Sequence, residues 1–164
     1  MDKLREMFDG FYDGVKPIIF YLTKQDPEVA HNLFSGFCRV VGFLGLEQVL
    51  FLHDDTLHNA SCIISSAAGF NKNAEIPPQV LKAIGFDRVV VGTVTADSWR
   101  GNPRPRMMRY PETESLVNWM GLPGEGVSKV ARRLWDYGFH EVPITVNLMA
   151  TPGKKGEELL EDIA

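Results

Sequence analysis

Ile63-Ile64-Ser65-Ser66-Ala67-Ala68-Gly69-Phe70-Asn71-Lys72-Asn73 runs from a β-branched pair into small residues and then into polar ones. Two later stretches share the same plan. Val89-Val90-Val91 leads into Gly92-Thr93-Val94-Thr95, and Ile144-Thr145-Val146 leads into Asn147. β-Branched runs bounded by such clusters predict short buried strands at about 62–67, 88–94 and 143–147. Helical patterns at about 78–84 and 124–137 separate them, and 156–164 reads as the opening of another helix. Strand and helix in alternation is the pattern of a parallel βα barrel, in which chemistry collects at the carboxyl ends of the strands.

Eight strands close such a barrel, in about 250 residues. This chain has 164 residues and supplies three of the strands. The fold class expected is therefore α/β. A helical subdomain over residues 1–60 precedes the first three βα units of a TIM (β/α)8 barrel, an incomplete barrel over residues 61–164. An open sheet exposes strand edges, so either further protein or another chain is expected to cover them.

Upstream of the first strand, apolar residues from Leu4 to Leu22 recur at helical spacing, with Gly14 and Pro17 expected to bend or divide the stripe. A second helix starts clearly. Asp26 can cap it, Pro27 suits its first position, and Glu28 complements the dipole. Its apolar face runs through Val29, Leu33, Phe37, Val40, Val41 and Leu44. Gly42 and Gly45 are expected to loosen the chain before a shorter helix at about 46–53. Two such helices either pack as a subdomain on the rest of the chain or dip an apolar face into a membrane surface. The mixed sign of their polar positions weighs against the second.

The formal net charge of -4 excludes a general affinity for nucleic acid, which needs basic surface. Cys38 and Cys62, the two cysteines, each stand next to an apolar residue, Phe37 and Ile63, and read as buried free thiols in a reducing compartment. No apolar run approaches the ~20 residues that span a bilayer. Asp2, Glu6, Asp9 and Asp13 are incompatible with a secretory or mitochondrial leader, so a cytoplasmic location is expected. Between the second and third strands lies an insertion, Asp97 to Pro123, rich in Arg and Pro. Its prolines and methionines suit an ordered excursion over a barrel mouth better than a nucleic-acid patch. Within it, Met107–Arg109 and Leu116–Asn118 are expected to pair across Pro-Glu-Thr-Glu.

At the strand ends, Ala67, Ala68 and Gly69 let the backbone approach a flat ligand, and Lys72 offers a charge and three donors over it. An ordinary solvated loop lysine fits the composition as well. Thr93 brings a hydroxyl, and Asn147 an amide that both donates and accepts. Gly121-Leu122-Pro123-Gly124-Glu125-Gly126 matches neither phosphate-loop spacing and reads as a turn entering a helix. His31, His53, His58 and His140 lack zinc-ligand spacing, so no metal is expected. His53-Asp54-Asp55 reads as a solvated connector.

Taken in order, these segments resemble the quinone-linked (class 2) dihydroorotate dehydrogenases. The matches are DPEVAH at 26–31, AAGFNKN at 67–73, Gly85-Phe86, VGTVT at 91–95, GNPRPRMMRYPE at 101–112, VNWMG at 117–121 and the strand ending in Asn147. The resemblance implies an N-terminal helical pair forming a quinone tunnel at the membrane, and a barrel holding FMN. Such enzymes oxidise dihydroorotate to orotate in pyrimidine biosynthesis. A serine base takes the C5 proton, hydride passes from C6 to the flavin, and quinone reoxidises the flavin.

By position, Ala68, Gly69, Lys72, Thr93 and Asn147 match FMN contacts. Lys72 and the run Asn118, Trp119, Met120, Gly121 and Leu122 match orotate-binding residues. His31 and Arg109 match residues lining the quinone tunnel. The departures fall in the pocket. Asn71 stands where Asp is usual, Trp119 where Arg is, and Leu122 where Phe is. Pro123-Gly124 replaces an Asn-rich continuation, and Leu-Met-Ala-Thr comes after Asn147 in place of Ile-Gly-Lys-Asn.

The serine base, a further Asn pair and the flavin phosphate site are expected beyond Ala164. The resemblance thus implies the N-terminal part of such an enzyme, inactive alone and peripheral on the inner membrane face. Its partners would be dihydroorotate, quinone, the membrane surface and the remainder of the barrel or a complementing chain. The alternative is a non-catalytic remnant serving as a binding or assembly subunit.

Overall fold

The computed structural model describes residues 14, 17, 18, 21–23, 26–50, 62–138 and 142–164. Most of the first expected helix lies outside the described residues, as do His53, His58 and His140. The described chain forms α1 (Pro27–Leu44), α2 (Glu47–Leu50), α3 (Pro78–Ile84), β1 (Val89–Val94), β2 (Met107–Tyr110), β3 (Ser115–Asn118), α4 (Val127–Asp136), β4 (Ile144–Leu148) and α5 (Glu157–Glu161). It divides into two compact units, Met1–Phe34 with Pro103–Trp119, and Ser35–Asn102 with Met120–Ala164.

The second unit holds the parallel sheet. β1 is a run of β-branched residues around Gly92, buried at four of its six positions and half-buried at the other two. Such a strand has apolar neighbours on both faces, as in a βα-wound sheet. It pairs in parallel with β4, Val89 opposite Ile144, Val90 opposite Thr145 and Val91 opposite Val146, before an irregularity brings Val94 opposite Leu148.

The first expected strand does not form a ladder. Along the other edge of β1, residues 65–71 form two isolated parallel bridges, Ser65–Arg88 and Asn71–Val91, and no continuous strand. The reason is local. The Val90 N–H donates to the Ser66 hydroxyl at 2.9 Å, where a regular strand would present a carbonyl, and the chain then turns through Ala68 to Phe70. The 65–71 segment and β4 lie on opposite edges of β1.

α3 starts with Pro78, whose missing N–H costs nothing at a first turn. It stops at Gly85, which takes φ 114 while its N–H bonds the Lys82 carbonyl and the Phe86 N–H bonds that of Leu81. Val80, Leu81 and Ala83 enter the core with Ile76, Val89, Val91, Val94 and Val130, and the Phe70 and Phe86 rings pack against it.

The C-terminal half of α1 joins that core through Cys38 and Val41. Gly42 does not loosen the chain. It lies inside α1, where a Cβ would come within 2.7 Å of the Pro77 ring, so its bare backbone is the contact surface. The helix ends instead at Gly45, with φ 66 and the Leu46 N–H returning to the Val41 carbonyl. Cys62 also departs from expectation, being an exposed free thiol while Cys38 is buried. It stands just before the sheet, and none of the described elements covers it.

In the first unit, α1 begins as its sequence predicts. Asp26 Oδ1 accepts from the backbone N–H of Glu28 at 2.8 Å and of Val29 at 3.4 Å. β2 and β3 form the expected antiparallel hairpin, with Met107 opposite Asn118, Arg109 opposite Leu116 and Tyr110 opposite Ser115. A short 3-10 turn, Pro111–Thr113, connects them, and Glu114 closes it at φ 49. Among the described residues no helix is long and apolar enough to cross a membrane.

Candidate functional site

The carboxyl ends of the parallel segments meet through backbone. The Gly69 N–H donates to the Gly92 carbonyl at 2.6 Å, and the Gly92 N–H to the Asn71 carbonyl at 3.3 Å. On its other side Gly92 lies against β4, where a Cβ would sit 2.5 Å from the Asn147 carbonyl. Both glycines hold positive φ, 95 and 117, a conformation that side chains oppose. Lys72 folds back along the first of them, with its Cε 3.8 Å from where a Gly69 Cβ would stand. Ala68, Gly69, Lys72, Thr93 and Asn147 thus share one neighbourhood in the second unit. Lys72 and Thr93 are half-buried there, and Ala68 and Asn147 are exposed.

The loop carrying Lys72 is fixed by contacts that sequence reading does not supply. Asn71 is buried, and its amide meets both backbone polar groups of Ile76: Nδ2 donates to the Ile76 carbonyl at 2.9 Å, and Oδ1 accepts the Ile76 N–H at 3.0 Å. Asn73 Oδ1 accepts the Glu125 N–H, and its carbonyl accepts from Arg133, which also pairs with Glu125 at 2.8 Å. The Tyr137 hydroxyl donates to the carbonyl of Ala74, a buried residue at φ 52. Burial pushes that phenol above its ordinary pKa. Arg133 and Tyr137 are four apart on an evident helix, but spacing does not say which loop they meet.

Met120, Gly121 and Leu122 belong to the same unit. Trp99 and Gly124 form an antiparallel bridge, and the Asn102 N–H donates to the Met120 carbonyl at 2.9 Å. Gly121, at φ 69, packs on Asn102, where a Cβ would come within 2.7 Å of its side chain. Leu122 also holds positive φ, 58. Gly126 opens α4 at φ 86, so the glycine run is a turn entering a helix, as its spacing implies.

Asn118 and Trp119 belong to the first unit. Asn118 pairs with Met107, and the Trp119 N–H donates to the Arg106 carbonyl at 2.9 Å. Arg109 lies in β2, and His31 in the early turns of α1, both half-buried. The same unit contains an ion pair that sequence reading missed. Glu28 is only 6 % exposed and accepts from Arg106 on both oxygens, with Nε to Oε2 at 3.0 Å. Arg104 adds a third donor at 2.9 Å. The Arg106 hydrogen bond, aided by the charge of both arginines, holds the Glu28 carboxyl below its usual range despite burial. Arg104 and Arg106 are therefore engaged with protein and do not form an open basic patch. Among the described residues no three His, Cys, Asp or Glu side chains are placed to hold a metal.

Comparison with known proteins gives the family. The family model described as dihydroorotate dehydrogenase matches residues 54–163. A dihydroorotate dehydrogenase (quinone) of Acidithiobacillus ferrooxidans is 39% identical over 162 residues, which cover 92% of this chain and 42% of that protein. One from Halobacterium salinarum is 46% identical over 147 residues, covering 84% of this chain and 41% of its own. The crystal structure of a DHODH from Eimeria tenella in complex with ferulenol superposes with a TM-score of 0.65 at 25% identity, over 84% of this chain and 38% of that one. The chain thus spans about two fifths of the length of the curated relatives it matches. With its βα order, its strand-end glycines and a match across most of its length, this chain belongs to the dihydroorotate dehydrogenase family, among quinone-linked relatives.

Proposed function

We propose that this chain is the N-terminal part of an FMN-dependent dihydroorotate dehydrogenase, one that oxidises dihydroorotate to orotate in pyrimidine biosynthesis and is inactive alone. The observation that carries the reading is the meeting of Gly69, Gly92 and Asn147 at one end of the parallel segments, with Lys72 lying along Gly69. Two bare glycines beside a cation, a hydroxyl and an amide fit the edge of a flat, polar-rimmed ring system. FMN, when bound, supplies the two-electron acceptor, and quinone takes the electrons onward.

Ala68, Gly69, Lys72, Thr93 and Asn147 would hold the flavin. Lys72 is suited to the substrate as well, because its ammonium matches the carboxylate of dihydroorotate. Asn118, Trp119, Met120, Gly121 and Leu122 would complete the substrate contacts, with apolar faces at Trp119 and Leu122 that favour ring packing over further charge pairing. His31 and Arg109 would line the quinone path. None of these side chains is assigned the proton abstraction, which the reading gives to a serine supplied by the remaining strands. Residues 1–60 are read as the quinone- and membrane-side subdomain, and 61–164 as the incomplete barrel.

A peripheral position on the inner face of the membrane is supported by Leu33, Phe37 and Phe43, large apolar side chains exposed on α1. The rest of the barrel, or a complementing chain, would close the free edge of β4. The substitutions at Trp119 and Leu122 favour a second reading, a non-catalytic binding or assembly subunit.

The test is reconstitution. The purified chain is expected to show no dihydroorotate:quinone activity and well under one flavin per chain by absorbance. Mixing it with the separately produced second half of a quinone-linked relative should raise both. Stoichiometric flavin on the chain alone would contradict the reading. A mixture that forms a complex without activity would favour the subunit.

A further inference from the structure

Glu28 does more than its place in a first helical turn requires. A carboxylate that only complements a helix dipole can remain in water. This one is buried, and so is the Arg106 guanidinium, each with 8 % of its side chain exposed. Taking two such charges out of water is costly unless the geometry is good and the remaining donors are met. The contact here is a two-point fork, the arrangement that fixes orientation as well as distance.

The fork joins two elements that carry candidate quinone contacts. On one side is the first turn of α1, with His31 three residues along the same helix. On the other is the base of the hairpin, because the Arg106 carbonyl accepts the Trp119 N–H one step below the Met107–Asn118 pair. From that base the register sets where Arg109 and Asn118 stand. We propose that Glu28 is a positioning residue, whose carboxylate locks the hairpin to α1 so that His31 and Arg109 address the same quinone. The proposal rests on the quinone reading above for the roles of His31 and Arg109. The clamp itself stands on the ion pair.

The experiment uses the 164-residue chain, its E28Q, R106Q and E28Q/R106Q variants, and R104Q as a control, since the Arg104 side chain is 54% exposed. R106K, which keeps the charge and loses the fork, serves if R106Q fails to fold. Affinity for a decyl-substituted benzoquinone is measured by equilibrium dialysis, and amide hydrogen exchange is followed at 107–110, 115–118 and 89–94. Each single change at the fork should weaken quinone binding about tenfold or more, as removal of one partner of a buried pair implies. The double variant should lose no more than the worse single one. Exchange should quicken in the hairpin and stay unchanged in β1, and R104Q should remain within about twofold of the parent.

Unchanged hairpin exchange in E28Q overturns the clamp. Faster exchange with unaltered quinone affinity, or additive losses in the double variant, overturns its positioning role. A parent chain that takes up no quinone defeats the quinone reading and this proposal with it. The exchange data distinguish that result from failure of the clamp.

Discussion

The two thiols show how far a side chain's chemistry depends on what surrounds it. Cys38 faces the core from α1, and burial pushes its pKa up to about 11, so it stays a thiol where a free one would ionise. Cys62 is exposed. A disulfide-exchange reagent at pH 8 should therefore label one thiol per chain quickly, and the second at the rate of unfolding. The same burial makes stability depend on pH. The folded pKa lies above the ordinary value of 9.0, so the unfolded chain releases this proton first as pH rises. The contribution of Cys38 is whole below pH 9 and is lost as pH climbs towards 11. Cys38→Ser should lose the core packing and flatten that part of the profile, measured as midpoints of urea unfolding. The apolar neighbours of both cysteines in the sequence suggested burial for both. Nothing local to Cys62 reveals that the sheet leaves it uncovered.

At the scale of elements, the glycines of α1 give a paired test. Gly36 has no atom near the place a Cβ would occupy, whereas Gly42 has Pro77 within 2.7 Å of it. Gly36→Ala should stabilise by up to about 1 kcal/mol, the helix-propensity difference. Gly42→Ala should destabilise by about 1–3 kcal/mol, because the steric cost of overpacking exceeds the same gain. Thermal unfolding followed by circular dichroism checks both. The sequence does not separate the two glycines, since periodicity locates a helix without saying where a neighbour approaches its backbone. Elements set by local chemistry were legible. Pro77-Pro78 and Gly85 bracket α3, Asp26 caps α1, and the turn after Tyr110 fixes the hairpin register. Elements set by distant partners were not. The segment at 62–67 has the composition of a strand, but the Ser66 hydroxyl takes a ladder position and leaves bridges instead. Glu28 likewise reads as a dipole partner until Arg106, far along the chain, is seen beside it.

For the molecule as a whole, the controlling fact is the two-stranded parallel sheet formed by β1 and β4 among the described residues. Among the described residues β4 pairs only with β1, and Thr145 to Leu148 are exposed. An apolar strand with a free edge is a template for other strands. The isolated chain should therefore self-associate, with sedimentation showing growth in size as concentration rises. Val146→Lys, which places a charge on that strand, should return it to the monomer while preserving the circular dichroism spectrum. Association unaffected by the lysine would mean that the contact lies elsewhere, for instance on the exposed apolar side chains of α1. The strand-end group was legible because its residues sit at the ends of β-branched runs. The clamps that hold it, Asn71 on Ile76 and Arg133 on Asn73, depend on contacts that no spacing rule encodes.

The excursion between Asn102 and Met120 leaves and rejoins its stem at hydrogen-bonded neighbours, with the Trp99–Gly124 bridge just behind them. Ends held that close make the intervening residues a cassette, because closing a loop of a different length adds little entropy once its two feet are tied. A hairpin from another member of the family can be grafted between those feet without disturbing β1 or β4.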